Sequence, residues 1–406
     1  MDAAAVKPVA RRSRLLRLAI LWLAGADLRL TVLAVPPLLP LIHRDLGLSE
    51  GAIGVLSGLP VLLLGAAAIP GSLVIARIGA RRAAIACLLF VAATAAARGI
   101  GPSAAMLFGM TLLMGAGIAV LQPALPTLVA EWFADRPGFA TAVYANGLLI
   151  GEAVPAAATI PLVLPRVGGG WAAALAVWSL PLAATALLML ATPAPRRAAA
   201  AVARLTRWWP DWKSPMTWQL GLLTGGTGGL YFSTNAFIAD YLHTIGRPDL
   251  VSAALAALNA GQLPASFLLL LALGRVGVRR GALAAMPALA LPALLGLVLL
   301  RSPWGIALCT GAIGFFCAFV LISTLALPPQ LAAPGDVHRL SAGMFAIGYT
   351  LSCAIPPLGG ALWDMTRVPA SAFIASAASA AIVALTALTL PARLMPRIAA
   401  AAETSG

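Results

Sequence analysis

The 406-residue chain is 61% hydrophobic and 10% charged, with a mean hydropathy of +0.95. A water-soluble chain of this length carries roughly a quarter charged residues, so the composition excludes an ordinary soluble enzyme or scaffold and describes a chain made for lipid. The net charge of +14 raises a nucleic-acid surface as an alternative, and the distribution of those charges decides against it.

Membrane spans of about 20 residues are predicted at 15–41, 50–75, 83–100, 104–130, 140–164 and 171–191. A second set follows at 217–242, 251–274, 281–300, 304–329, 341–363 and 369–391. The basic run before the first span has the outline of a signal peptide. Its apolar stretch runs well past a cleavable h-region, with no small-residue cleavage site before a soluble domain, so it reads as the first span. The interval 192–216, TPAPRRAAAAVARLTRWWPDWKSPM, is the one long hydrophilic stretch between spans. Its Arg and Trp content suits a segment lying on the inner membrane face, or a plain tether between halves. The expected organisation is a six-helix bundle at 1–191, a cytoplasmic central loop at 192–216, and a second six-helix bundle with a cytoplasmic tail at 217–406.

With both ends inside, twenty Lys and Arg residues fall on one side and five on the other, while Arg29 and Arg98 lie within spans. Positive charge collects on the cytoplasmic face, so both termini are expected there and the basic balance is topology. No nucleic-acid partner is expected; anionic lipid headgroups on that face are.

The chain repeats itself. Residues 76–82 read ARIGARR, and residues 274–280 read GRVGVRR, each after a long apolar stretch. Tyr144-Ala145-Asn146-Gly147 followed by Pro155 is matched by Phe345-Ala346-Ile347-Gly348 followed by Pro356. Repeats between membrane-length segments point to a duplicated secondary carrier.

At these residues the chain resembles the major facilitator superfamily. That family's first cytoplasmic loop reads approximately GxLaDRxGRR; Arg77, Gly79, Arg81 and Arg82 match it, and Ala76 stands where the acid usually is. The second copy supplies Arg275, Gly277, Arg279 and Arg280. The arginines are expected to anchor to headgroups and to helix C-termini. A narrower resemblance, to the cyanate-permease and nitroimidazole-permease branch, lies in DLRLTVLAVPPLLPLI (27–42), where Asp27 replaces the usual asparagine. It continues in GAGIAVLQPALP (115–126), VWSLP (177–181), Tyr231 with AFIADY, and Ala260-Gly261-Gln262. The resemblance implies an all-α protein of twelve transmembrane helices in two pseudo-symmetric bundles, monomeric and moving solute by alternating access.

Ionisable groups inside spans are costly and are functional candidates by default. Arg29, halfway along span 1, is a planar donor suited to a small carboxylate-like or cyanate-like anion. Asp27 is two residues away, so on a regular helix it points about 200° from Arg29 and toward a neighbouring span. Glu152 in span 5 is a candidate proton-coupling group together with Asp27; it reads equally as a structural acid or a counter-ion to Arg29. Its duplicate position holds Cys353. Gln122, Tyr231, Asn235, Gln262 and Tyr349 are candidate substrate ligands, with Asn146 and Asn259 as further polar groups. Arg98, at the outer end of span 3, is expected to snorkel to the interface.

Cys87, Cys309, Cys317 and Cys353 all fall within spans, and His43, His243 and His338 form no paired arrangement, so no metal or cofactor is expected. No cluster of acids, histidines or nucleophiles suggests an enzyme. The expected function is secondary active transport of a small anion or small polar solute across a bacterial inner membrane, with proton coupling. The alternatives are an exporter of a neutral nitroimidazole-like heterocycle or drug, and a solute sensor with a transporter fold.

Overall fold

The computed structural model describes residues 3–48, 56, 63–101, 103–193, 207–272, 278–333 and 335–391, with side chains from residue 13 onward. Much of the expected second span, most of the central loop, and Arg275 with Gly277 lie outside these residues. Every described element longer than a turn is helical.

The helices fall into two compact units, Met1–Trp209 with Pro334–Arg339, and Pro210–Ala333 with Leu340–Gly406. The first unit holds α1 (Ala3–Leu33), α2 (Leu39–Leu46), α3 (Ala68–Ile78), α4 (Ala80–Ala97), α5 (Ala104–Trp132), α6 (Pro137–Ala158), α7 (Trp171–Val177) and α8 (Leu180–Ala191). The second holds α9 (Pro215–Thr244), α10 (Val251–Ala260), α11 (Gln262–Ala272), α12 (Arg280–Leu299), α13 (Pro303–Leu325), most of α14 (Val337–Thr366), and α15 (Ala372–Thr389). Among the described residues, ten helical stretches are long and apolar enough to cross a membrane. Helix α9 has the length, at 30 residues, but Thr224 to Gly229 and Ser233 to Asn235 dilute its apolarity.

Local chemistry sets the ends. Pro137, Pro215 and Pro303 open their helices, where a missing N–H removes only a donor that has no helical acceptor. Ser103 and Ser302 cap α5 and α13 by accepting from the amides of Met106 and Gly305. Between α3 and α4 the chain turns at Gly79, whose φ of 82° is open to glycine and strained for other residues.

Helix α1 ends early. Pro36 and Pro37 have no amide hydrogen, and Val35 turns its amide to Val32, so the Thr31 carbonyl has no partner within the helix. Arg98, at the end of α4, fills the gap: Nη2 donates to Thr31 O at 3.0 Å and Nε to Ala95 O at 3.3 Å. This corrects the expected snorkelling, because Arg98 is wholly buried. Its positive charge lies at the carbonyl ends of two helices, where the backbone dipoles favour it.

Small residues bring the long helices together. In the first unit a Cβ at Gly25 would collide with the Tyr144 carbonyl, at Gly147 with that of Trp22, and at Gly151 with that of Ala26. Helices α1 and α6 therefore touch backbone to backbone, as glycines four apart permit in lipid. In the second unit Gly221, Gly225 and Gly229 of α9 take Ile347, Leu351 and Ile355 of α14, and Gly261 and Gly314 bring α10 against α13.

Three consecutive carbonyls at the end of the central loop are held by side chains of the first unit. His338 Nε2 meets Arg207 O at 3.0 Å, Ser72 Oγ donates to Trp208 O at 2.6 Å, and Arg339 Nε donates to Trp209 O at 2.8 Å.

Candidate functional site

The close approach of α1 and α6 creates an ion pair. Glu152 follows Gly151 directly, and its Oε1 lies 3.3 Å from Arg29 Nε, with both side chains largely out of water. One helical face of α1 carries Trp22, Gly25, Ala26 and Arg29, at the three-to-four spacing that keeps side chains adjacent. The facing stripe of α6 is Asn146, Gly147 and Gly151. At the far end of this seam Trp22 Nε1 donates to Asn146 Oδ1 at 2.9 Å, so a polar contact closes each end of a stretch of glycine packing.

Asp27 faces another way. It is buried on the side of α1 turned to α8, beside Thr185, while Arg29 faces α6. Gln122 is buried within α5. Trp22 and Thr185 were not foreseen from the sequence. Trp22 was legible in principle, since it lies seven residues before Arg29 on one face. Thr185 carried no signal.

The second unit gathers a neutral cluster. Tyr231 Oη donates to Asn259 Oδ1 at 2.6 Å, and Gln262 Nε2 approaches Tyr231 Oη at 3.4 Å and Asn259 Oδ1 at 3.5 Å. Asn259 Nδ2 donates to Leu255 O at 2.8 Å. Asn235 is half-buried, one turn beyond Tyr231 on α9. Tyr349 stacks on Phe345, ring centroids 6.0 Å apart, outside the hydrogen bonds that join Tyr231, Asn259 and Gln262.

The arginine loops act at helix ends. Arg81 Nη2 donates to the carbonyls of Met189, Leu190 and Thr192 at the end of α8. Arg280 Nη1 donates to Leu388 and Leu390 at the end of α15. The sequence repeat aligns Arg81 with Arg279, so the caps differ in register by one residue. Arg82 and Arg279 are exposed.

Apolar membrane-length helices, a largely buried ion pair at mid-span and a polar cluster on further spans describe a multi-pass membrane transporter. Residues 21–246 match the Major Facilitator Superfamily, and the chain belongs to that superfamily, whose fold has twelve transmembrane helices. It is 30% identical over 347 residues to the cyanate transport protein CynX of Escherichia coli (strain K12), covering 85% of this chain and 89% of that one. It is 27% identical over 356 residues to the 2-nitroimidazole transporter of the same organism, covering 87% and 89%. Among solved structures, the superfamily transporter FucP in the outward conformation superposes with a TM-score of 0.71 at 14% identity, covering 93% of this chain and 99% of that one. That likeness shows the fold alone.

Proposed function

We propose that this transporter is a secondary carrier of a small anion or small polar solute, coupled to protons. The observation that carries the reading is the Arg29–Glu152 pair. A guanidinium that attracts a carboxylate also attracts other planar anions, and its planar fork of N–H groups suits them. A substrate anion and the Glu152 carboxylate compete for Arg29, so protonating Glu152 favours anion binding and anion binding favours protonation. By linkage one anion then travels with one proton.

Tyr231, Asn259 and Gln262 supply neutral contacts in this reading. An exposed amide such as Asn259 at mid-span suits a water-filled or solute-filled space and not hydrocarbon. The positive-side bias supports an inner-membrane location with both termini cytoplasmic, and we take the working unit to be a monomer. Similarity to a cyanate transport protein fits an anion. A second reading, transport of a neutral heterocycle, is favoured by the charge balance that Glu152 already gives Arg29, and by similarity to a 2-nitroimidazole transporter.

The test is proteoliposomes loaded with a pH-sensitive dye and challenged with cyanate, nitrate, formate, small carboxylates and nitroimidazoles, with Arg29→Ala as control. Proton movement with one anion, lost in the control, is the expected result. Silence with all anions while labelled nitroimidazole crosses would replace the first reading with the second.

A further inference from the structure

The hydrogens of the second unit's polar cluster have a fixed direction. The Leu255 carbonyl can only accept, so the end of the Asn259 amide that meets it must be the NH2 group. That orients Oδ1 toward Tyr231, and because an amide oxygen can only accept, the Tyr231 hydroxyl must donate. The Gln262 amide faces the same two oxygens and must present its nitrogen. Each assignment follows from the one before, starting from a backbone carbonyl.

The consequence lies at Tyr231. A phenol has one proton, and here it is committed to Asn259. Toward any further group the hydroxyl acts only as an acceptor. We propose that Asn259 is a positioning residue that makes Tyr231 a hydrogen-bond acceptor, so that the transported solute meets Tyr231 through an N–H or O–H group. This deepens the reading of the Tyr231 cluster as a solute contact, and rests on it. It favours an azole N–H or a protonated acid at this position over a bare anion such as cyanate, whose lone pairs would face those of the phenol oxygen. Sites built to bond a substrate hydrogen reject analogues lacking it more strongly than apolar pockets reject a change of size.

The test is equilibrium binding to the purified full-length protein in detergent, in mildly acidic buffer. The probes are 2-nitroimidazole, its N-methyl derivative and cyanate. The parent is expected to prefer the N–H compound on the order of tenfold over the N-methyl one, the worth of one hydrogen bond. In Tyr231→Phe that preference should vanish, whereas a purely steric objection to the methyl group would persist. In Asn259→Leu the hydroxyl proton is released, and binding should shift toward the N-methyl compound. A melting curve for each variant confirms folding. Equal binding of the two azoles by the parent, a preference unchanged in Tyr231→Phe, or binding of cyanate alone would overturn the inference while leaving the transport reading intact. Binding of none of the three would overturn both.

Discussion

Gly151 lies against the Ala26 carbonyl with no room for a side chain, and that absence of a Cβ is what lets the next residue, Glu152, meet Arg29. The ion pair therefore depends on a packing residue that carries no charge. Alanine at Gly151 is expected to cost roughly 1–3 kcal/mol by overpacking, and leucine more. Alanine at Gly109 or Gly281, where nothing lies within 4 Å of the added carbon, should be neutral or stabilising by up to about 1 kcal/mol. Thermal melts in detergent check the contrast.

Removing the acid separates coupling from binding. In the parent, anion binding should strengthen as pH falls, because protonation of Glu152 withdraws the competitor for Arg29. In Glu152→Gln that competitor is absent at every pH, so anion binding should be tight and flat with pH, and substrate-driven proton uptake should disappear. Identical pH profiles for parent and variant would remove Glu152 from the coupling mechanism.

The loop arginines are expected to divide into two classes. Arg81→Ala and Arg280→Ala each strip donors from helix-end carbonyls and should lower stability by about 1–3 kcal/mol. Arg82→Ala and Arg279→Ala remove exposed charges and should change it by less than about 0.5 kcal/mol. Comparing the four melting midpoints tests the assignment.

Arg98→Leu should destabilise by about 1–3 kcal/mol by leaving the Thr31 carbonyl unpaired in a dry site. Arg98→Lys keeps a donor for one carbonyl and should recover part of the loss. If the leucine variant melts with the parent, Arg98 does not cap α1.

The bundle was legible because its signals are long. Twelve apolar stretches, a charge asymmetry and two copies of one loop each extend over many residues. The site was legible only in its parts. Arg29, Glu152, Tyr231 and Gln262 stand out as polar groups in apolar runs, but sequence does not say which will touch. The pairing of Arg29 with Glu152 depends on three glycines whose contacts are with backbone atoms, and backbone leaves no trace in side-chain pattern. Arg98 was misjudged for a related reason. Its position at a span end suggests water, whereas the early end of α1 at Pro36 supplies a buried carbonyl instead. The one-residue shift between the Arg81 and Arg280 caps is likewise invisible in an alignment that matches both arginine pairs.

In the second unit, Ser352 and Cys353 stand where the first has Gly151 and Glu152. Ser352 donates to the Gly348 carbonyl and fills the space beside Gly228, so the duplicated seam is assembled there without an acid. The repeated frame carries an acid at this position in one copy and a cysteine in the other. The position of Glu152 in one unit therefore has a counterpart in the other, Cys353, that is not an acid. An aspartate or glutamate at Cys353 would place a second carboxylate at the position that the repeat pairs with Glu152.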